Sequence, residues 1–203
     1  MKIRLYVEGG PQGVDTDGLR RFRSAFKQYF EHFDPQLKSL DVIARGATER
    51  TIKNYAEGVR RHAAEGVVAL LVDSDTPVTA SSPAKHLASK LDGAKVPNDA
   101  RANVFLMVQC MEAWLITDVA ALENCYGAKA REMKLPADPD VEAIPKKDLF
   151  AALNSLAKNT PIGRYHKIHH AARILAVLSP ELVAKRSKHA QKLHEFLRRS
   201  LIA

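Results

Sequence analysis

The chain has 203 residues, enough for one ordinary domain or one domain with an extension. Its 46% apolar and 27% charged residues suit a soluble globular protein, and no segment approaches the ~20 apolar residues of a membrane span. Lys and Arg outnumber Asp and Glu by 31 to 23, a net charge of +8 that fits contact with a polyanion and solvated helix faces equally well.

The first residues, Met1 to Glu8, alternate charge with apolar side chains and lack the uninterrupted apolar core of a signal peptide. Cys110 and Cys125 form neither a disulfide framework nor a metal-ligand pattern. A cytoplasmic, reduced protein is therefore expected, with no membrane partner. Lys2 to Val7 reads as a first strand ending at Glu8-Gly9-Gly10. A Gly/Pro/Asp loop follows, and Asp17 is placed to cap a helix whose Leu19, Phe22, Phe26, Tyr29, Phe30 and Phe33 share one face. Asp34-Pro35 ends it. Leu40 to Ala44 is a short second strand. Thr48 opens a second helix with Ile52, Tyr55, Val59 and Ala63 inward, and Gly66 is expected to close it.

Val67 to Asp75 is the most apolar strand, six apolar residues from Val67 to Val72 running into Asp73-Ser74-Asp75. Pro83 to Leu91 reads as a helix and Asn103 to Val108 as a fourth strand. Strands separated by helices predict an α/β fold, with a mainly parallel four-stranded, Rossmann-like sheet flanked by helices. After Trp114 the pattern changes. A connector with three prolines, Pro136 to Pro145, leads into helices at 148–157, 167–178, 180–186 and 188–201. The expected organisation is an α/β core over 1–118 and a helical portion over 119–203 packed on it.

Burying an ionised carboxylate is costly, so Asp73 and Asp75 must emerge at the strand's C-terminal end. Open α/β sheets build their sites at that edge, and Glu8 ends the first strand at the same edge. Three hard oxygen donors there suit Mg²⁺ or Mn²⁺, with positions left open for phosphate oxygens. Each acid alone is equally a solvated strand end, a helix cap or a turn residue. Glu112, among apolar neighbours in Met111-Glu112-Ala113-Trp114, needs a cationic partner or a metal, or else simply opens a helix. Asp118 is a weaker candidate.

Arg45, at the end of the second strand, and Lys53, in the next helix, are candidate phosphate contacts. In His166-Lys167-Ile168-His169-His170 no cysteine or clear acid completes a zinc set, so Lys167 and His170 are expected to border the acidic site. Trp114 and the phenylalanines of the first helix read as core. Nothing resembles a P-loop.

A strand ending in Val7-Glu8-Gly9 and a later strand ending in Asp73-Ser74-Asp75 resemble the Toprim domain of topoisomerases, primases, overcoming-lysogenisation-defect nucleases and RloB-like defence proteins. With Glu112-Ala113-Trp114-Leu115, the resemblance is closer still to a bacterial Toprim-like family of unknown function often encoded beside an ATPase. It covers about residues 1–118 by motif. Many relatives place Thr-Glu after Glu-Gly, where this chain has Gly10-Pro11-Gln12-Gly13. The resemblance implies Glu8 as a general acid/base or metal ligand and Asp73 and Asp75 as Mg²⁺ ligands. Glu112 would then be a possible ligand to a second ion. A nuclease acting on DNA or RNA follows, in a defence setting with an ATPase partner. The alternatives are a non-catalytic metal-binding partner or regulatory module of an ATPase, and a metal-dependent phosphatase or phosphotransferase acting on small molecules.

Overall fold

The structure is a computed structural model that describes residues 2–9, 16–44, 46–90, 96, 98–158, 160 and 163–202. Strands β1 (Lys2–Val7), β2 (Asp41–Ala44), β3 (Gly66–Asp73) and β4 (Val104–Met107) form one sheet in the order β2-β1-β3-β4. All three ladders are parallel, as the alternation of strand and helix predicted. β3 pairs on both sides, and Val68 to Val72 are at most 3% exposed. A strand covered on both faces needs apolar side chains at both parities, which explains its unbroken apolar run.

The two faces differ. Ile3, Leu5, Val7, Ala69 and Leu71 pack with α1 (Thr16–Phe33), while Tyr6, Val68, Leu70 and Val72 pack with α2 (Thr48–His62) and α3 (Pro83–Lys90). The first face also receives α4 (Glu112–Leu115), α5 (Val119–Tyr126), α6 (Lys146–Lys158), α7 (His169–Leu175), α8 (Pro180–Arg186) and α9 (Lys188–Ile202). These helices belong to the same apolar cluster as α1, with Trp114 stacked 5.6 Å from Tyr29. Among the described residues no helix is long and apolar enough to cross a membrane.

Several expectations change. Gly66 does not close α2 but opens β3, where an added Cβ would lie 2.0 Å from the Lys2 carbonyl oxygen; it is a close-approach residue between neighbouring strands. Asp17 lies inside the first turn of α1 and accepts from Arg20 rather than capping. Asp118 is the cap of α5, its Oδ1 accepting from the Ala120 and Ala121 amides and its Oδ2 from that of Ser179. It therefore belongs to the scaffold. The strand expected over Val67 to Asp75 stops at Asp73.

α9 is latched to α1 through a buried histidine. His194 Nε2 lies 3.0 Å from the Tyr29 hydroxyl, and its ring stacks 4.3 Å from that of Phe33. Burial, and then the Arg198 charge, lower its pKa to about 4. The unfolded chain takes up this proton near pH 6.5 and the native state does not, so stability falls as pH drops from about 6.5 to 4. The loss amounts to about 3 kcal/mol by linkage. Urea unfolding of His194→Gln should show a flatter acid limb than wild type; parallel pH profiles would remove His194 from the acid response.

Candidate functional site

The strand order reverses between β1 and β3. The chain leaves β1 through α1 toward β2 on one side, and leaves β3 through α3 toward β4 on the other. This opens a crevice at the carboxyl ends of β1 and β3, the position where open α/β sheets bind ligands. Parallel pairing continues past the end of β1, with the Glu8 amide donating to the Leu71 carbonyl at 2.9 Å. Glu8 Oε2 then accepts from the Asp73 amide at 3.0 Å, joining residues 65 apart.

Asp73 is 5% exposed and keeps the parity of Ala69 and Leu71, so it faces the C-terminal helices. Its Oδ1 accepts from the Met111 amide at 3.0 Å. Burial first, then the charges of Glu8 and Glu112, hold its carboxyl well above the usual carboxylate range. Three carboxylates therefore share one field. Glu112, the first residue of α4, is fully buried. Its Oε1 accepts from the Tyr165 hydroxyl at 3.1 Å, and its Oε2 has no hydrogen-bond partner among the described residues. The Cys110 thiol beside it is pushed up by burial and by the Glu112 and Asp73 charges.

Asp75 follows in a left-handed conformation, φ 57°. That turn carries it off the strand and places its Oδ1 2.5 Å from Lys146 Nζ. Lys167 Nζ lies 3.9 Å from Asp73 Oδ2 and 5.9 Å from the Phe150 ring centre. Burial works to lower the pKa of both lysines, and the carboxylates overcome it. Asp75 acts most on Lys146, and Glu112 and Asp73 act most on Lys167, so both ammonium groups are held above their usual range.

Gln109 organises this corner. It too is left-handed, φ 61°, and its carbonyl accepts from the Asp75 amide at 3.0 Å. Its side chain donates to the Glu142 and Ile144 carbonyls and accepts from the Lys146 amide, clamping the proline-rich connector against the sheet.

Glu8, Asp73 and Glu112 are thus electrostatically joined, with Asp75 two residues past Asp73. Lys167 borders Asp73. His170 is buried, its Nδ1 accepting from the His166 amide and its ring 5.9 Å from that of Tyr165, so it supports the wall behind Glu112. Lys53 lies exposed on α2. Arg45, with Gly10 and the loop after it, lies outside the described residues. Lys146, Gln109 and Tyr165 escape a sequence reading, because each reaches the site from a distant segment without a motif around it.

Oxygen is the donor type that a hard divalent cation takes. All four acids offer oxygen, and Glu112 Oε2 is a buried polar atom without a hydrogen-bond partner among the described residues. Among the described residues no three His, Cys, Asp or Glu side chains are already gathered as a ligand cluster. Protein donors, namely two backbone amides, Tyr165 and Lys146, engage the carboxylates instead.

The model of a family described as a domain of unknown function, DUF4276, matches residues 17–198. The chain belongs to the DUF4276 family. No curated protein and no solved structure matches it. The DUF4276 match takes in Asp73, Asp75, Glu112, Lys146 and Lys167, whereas Glu8 precedes it.

Proposed function

We propose that this DUF4276 protein is a Mg²⁺- or Mn²⁺-dependent phosphodiester hydrolase of Toprim type, a nuclease acting on DNA or RNA. The observation that carries the reading is the Glu8–Asp73 hydrogen bond at the sheet's switch point, in the same field as the buried, orphaned Glu112 oxygen. Asp73 and Glu112 would hold the cation, and Asp75 and Glu8 would offer further oxygen donors. The bound ion would supply Lewis acidity and an activated water.

The chain's own groups account for the remaining steps. Glu8, half-buried and oriented by the Asp73 amide, takes the proton of the attacking water. Lys167 holds a non-bridging phosphate oxygen, because its ammonium stays charged beside Asp73 and is half exposed.

A second surface favours a polymeric substrate over a small phosphate ester. A groove of about 520 Å³ is lined by Lys2, Arg20, Arg23, Lys27 and Asp41 among others. Arg20, Arg23 and Lys27 recur along one stripe of α1, a cation roughly every 5 Å at a helical rise of 1.5 Å per residue. Lys2 and Glu8 lie six strand residues apart, roughly 20 Å. A phosphate chain is long enough to occupy both places, and a mononucleotide is not. Combining Arg23→Ala with Lys27→Ala should reduce the slope of log affinity against log salt by about two, one for each phosphate that no longer meets a cation. An unchanged slope would take the groove out of the binding surface.

The direct test incubates the protein with linear, circular and single-stranded DNA and with RNA, in Mg²⁺ or Mn²⁺, beside Asp73→Ala. Metal-dependent cleavage that disappears in the variant is expected. Cleavage that survives the substitution sinks the assignment. The absence of any cleavage, with tight binding to an ATPase, would favour the partner-module reading, which the existing Lys146–Asp75 ion pair already suits.

A further inference from the structure

We infer that Lys146 is a built-in stand-in cation at Asp75, displaced when a divalent ion enters, and that its freed ammonium then binds the substrate's phosphate. This rests on the metal site proposed above and adds a role for a residue outside the acidic motifs.

The ion pair is constructed from both ends by one residue. Gln109 fixes Asp75 through its carbonyl and Lys146 through its side-chain oxygen, the latter bonding the Lys146 amide at 3.0 Å. Its own left-handed backbone is held in place by three more contacts, from its amide to Ser74 Oγ at 2.7 Å and from its side chain to the Glu142 and Ile144 carbonyls. Such a conformation in a residue other than glycine persists only where its surroundings over-determine it. The backbone of Lys146 is therefore a fixed pivot, while its four-carbon stem is free to turn and its side chain is about one-third exposed.

Charge supplies the reason for a stand-in. Glu8 and Glu112 act on Asp73, and Asp75 lies two residues further along the chain, against the two ammonium groups of Lys146 and Lys167. Lys146 makes the closer contact, 2.5 Å against 3.9 Å for Lys167, so it neutralises most where a cation would otherwise be needed. The Asp75 oxygen cannot serve both an ammonium at hydrogen-bond distance and a metal at full strength. Entry of a divalent ion weakens the pair, and the displaced ammonium remains tethered at the rim of the site. There the incoming phosphate replaces Asp75 as its anionic partner. Loading of metal and capture of substrate are thereby coupled, since each is favoured once Lys146 has left Asp75.

Mn²⁺ binding to the full chain, followed by the loss of the free-ion electron paramagnetic resonance signal at constant ionic strength, tests this. Removing the internal competitor in Lys146→Met should tighten Mn²⁺ binding by about five- to tenfold, the scale of a partly exposed ion pair. The same variant should raise KM for the cleaved nucleic acid. Lys146→Arg, which keeps the competing charge, should bind Mn²⁺ within about twofold of wild type. The Arg variant also keeps the test decisive should the Met variant fold poorly, because tightening in Lys146→Arg would overturn the inference. Equal or weaker Mn²⁺ binding by folded Lys146→Met, with wild type binding normally, overturns the stand-in role and leaves the metal site intact. No Mn²⁺ bound by wild type overturns the metal site and this inference with it.

Discussion

Asp73→Asn is expected to abolish metal-dependent cleavage, a loss of about 10³-fold or more, while making the protein more stable. The two effects share one cause. The carboxylate is buried beside Glu8 and Glu112, and burial is the largest influence raising its pKa. Because the native pKa is raised, the native state holds the proton more tightly than the unfolded chain does. Stability is then greatest below the ordinary carboxylate range near pH 4 and declines as pH rises through the native pKa. An amide of the same shape still accepts from the Met111 amide through its oxygen and carries no charge to bury. Its gain at pH 7.5 should be about 1–2 kcal/mol, with a flatter dependence on pH above 4. Urea unfolding without metal measures this. A variant less stable than wild type at pH 7.5 would mean that Asp73 is held by favourable partners rather than kept for function.

Gln109→Asn should destabilise the fold by about 3 kcal/mol, roughly 10 °C in Tm for a chain of this length. Asparagine tolerates the left-handed backbone, so the substitution isolates the side chain. One methylene shorter, it cannot reach the Glu142 and Ile144 carbonyls and the Lys146 amide together, and buried backbone groups lose their partners. The connector then comes away from the sheet and takes Lys146 with it. Thermal unfolding reads the first effect, and limited proteolysis within 136–146 reads the second. A Tm within about 2 °C of wild type would show that the α8–α9 junction holds the connector instead, through the Glu142 bonds to Ser187 and His189.

The sheet was legible because its strands are apolar at both parities and separated by amphipathic helices. Those two patterns record burial directly. The edge carrying the acids followed from strand direction alone, and Glu112 stood out as a charge among apolar neighbours. Gly66 misled, since a glycine after a helix reads as a cap, and only the position of the Lys2 carbonyl reveals the close approach. Asp75 reads as a strand residue because Asp73-Ser74-Asp75 keeps the alternation, whereas its left-handed turn depends on the Gln109 carbonyl. Lys146 lies 71 residues from its partner and follows a proline-rich connector, so nothing local marks it. The motif conveys the anionic half of the site. The cationic half is tertiary.

The most direct test of the metal centre is anomalous scattering from crystals of the protein soaked in Mn²⁺. A peak is expected at ligating distance, about 2.1 Å, from Asp73 and Glu112 oxygens, with the Lys146 ammonium withdrawn from Asp75. A crevice without Mn²⁺, with Lys146 still paired to Asp75 at saturating metal, would contradict it.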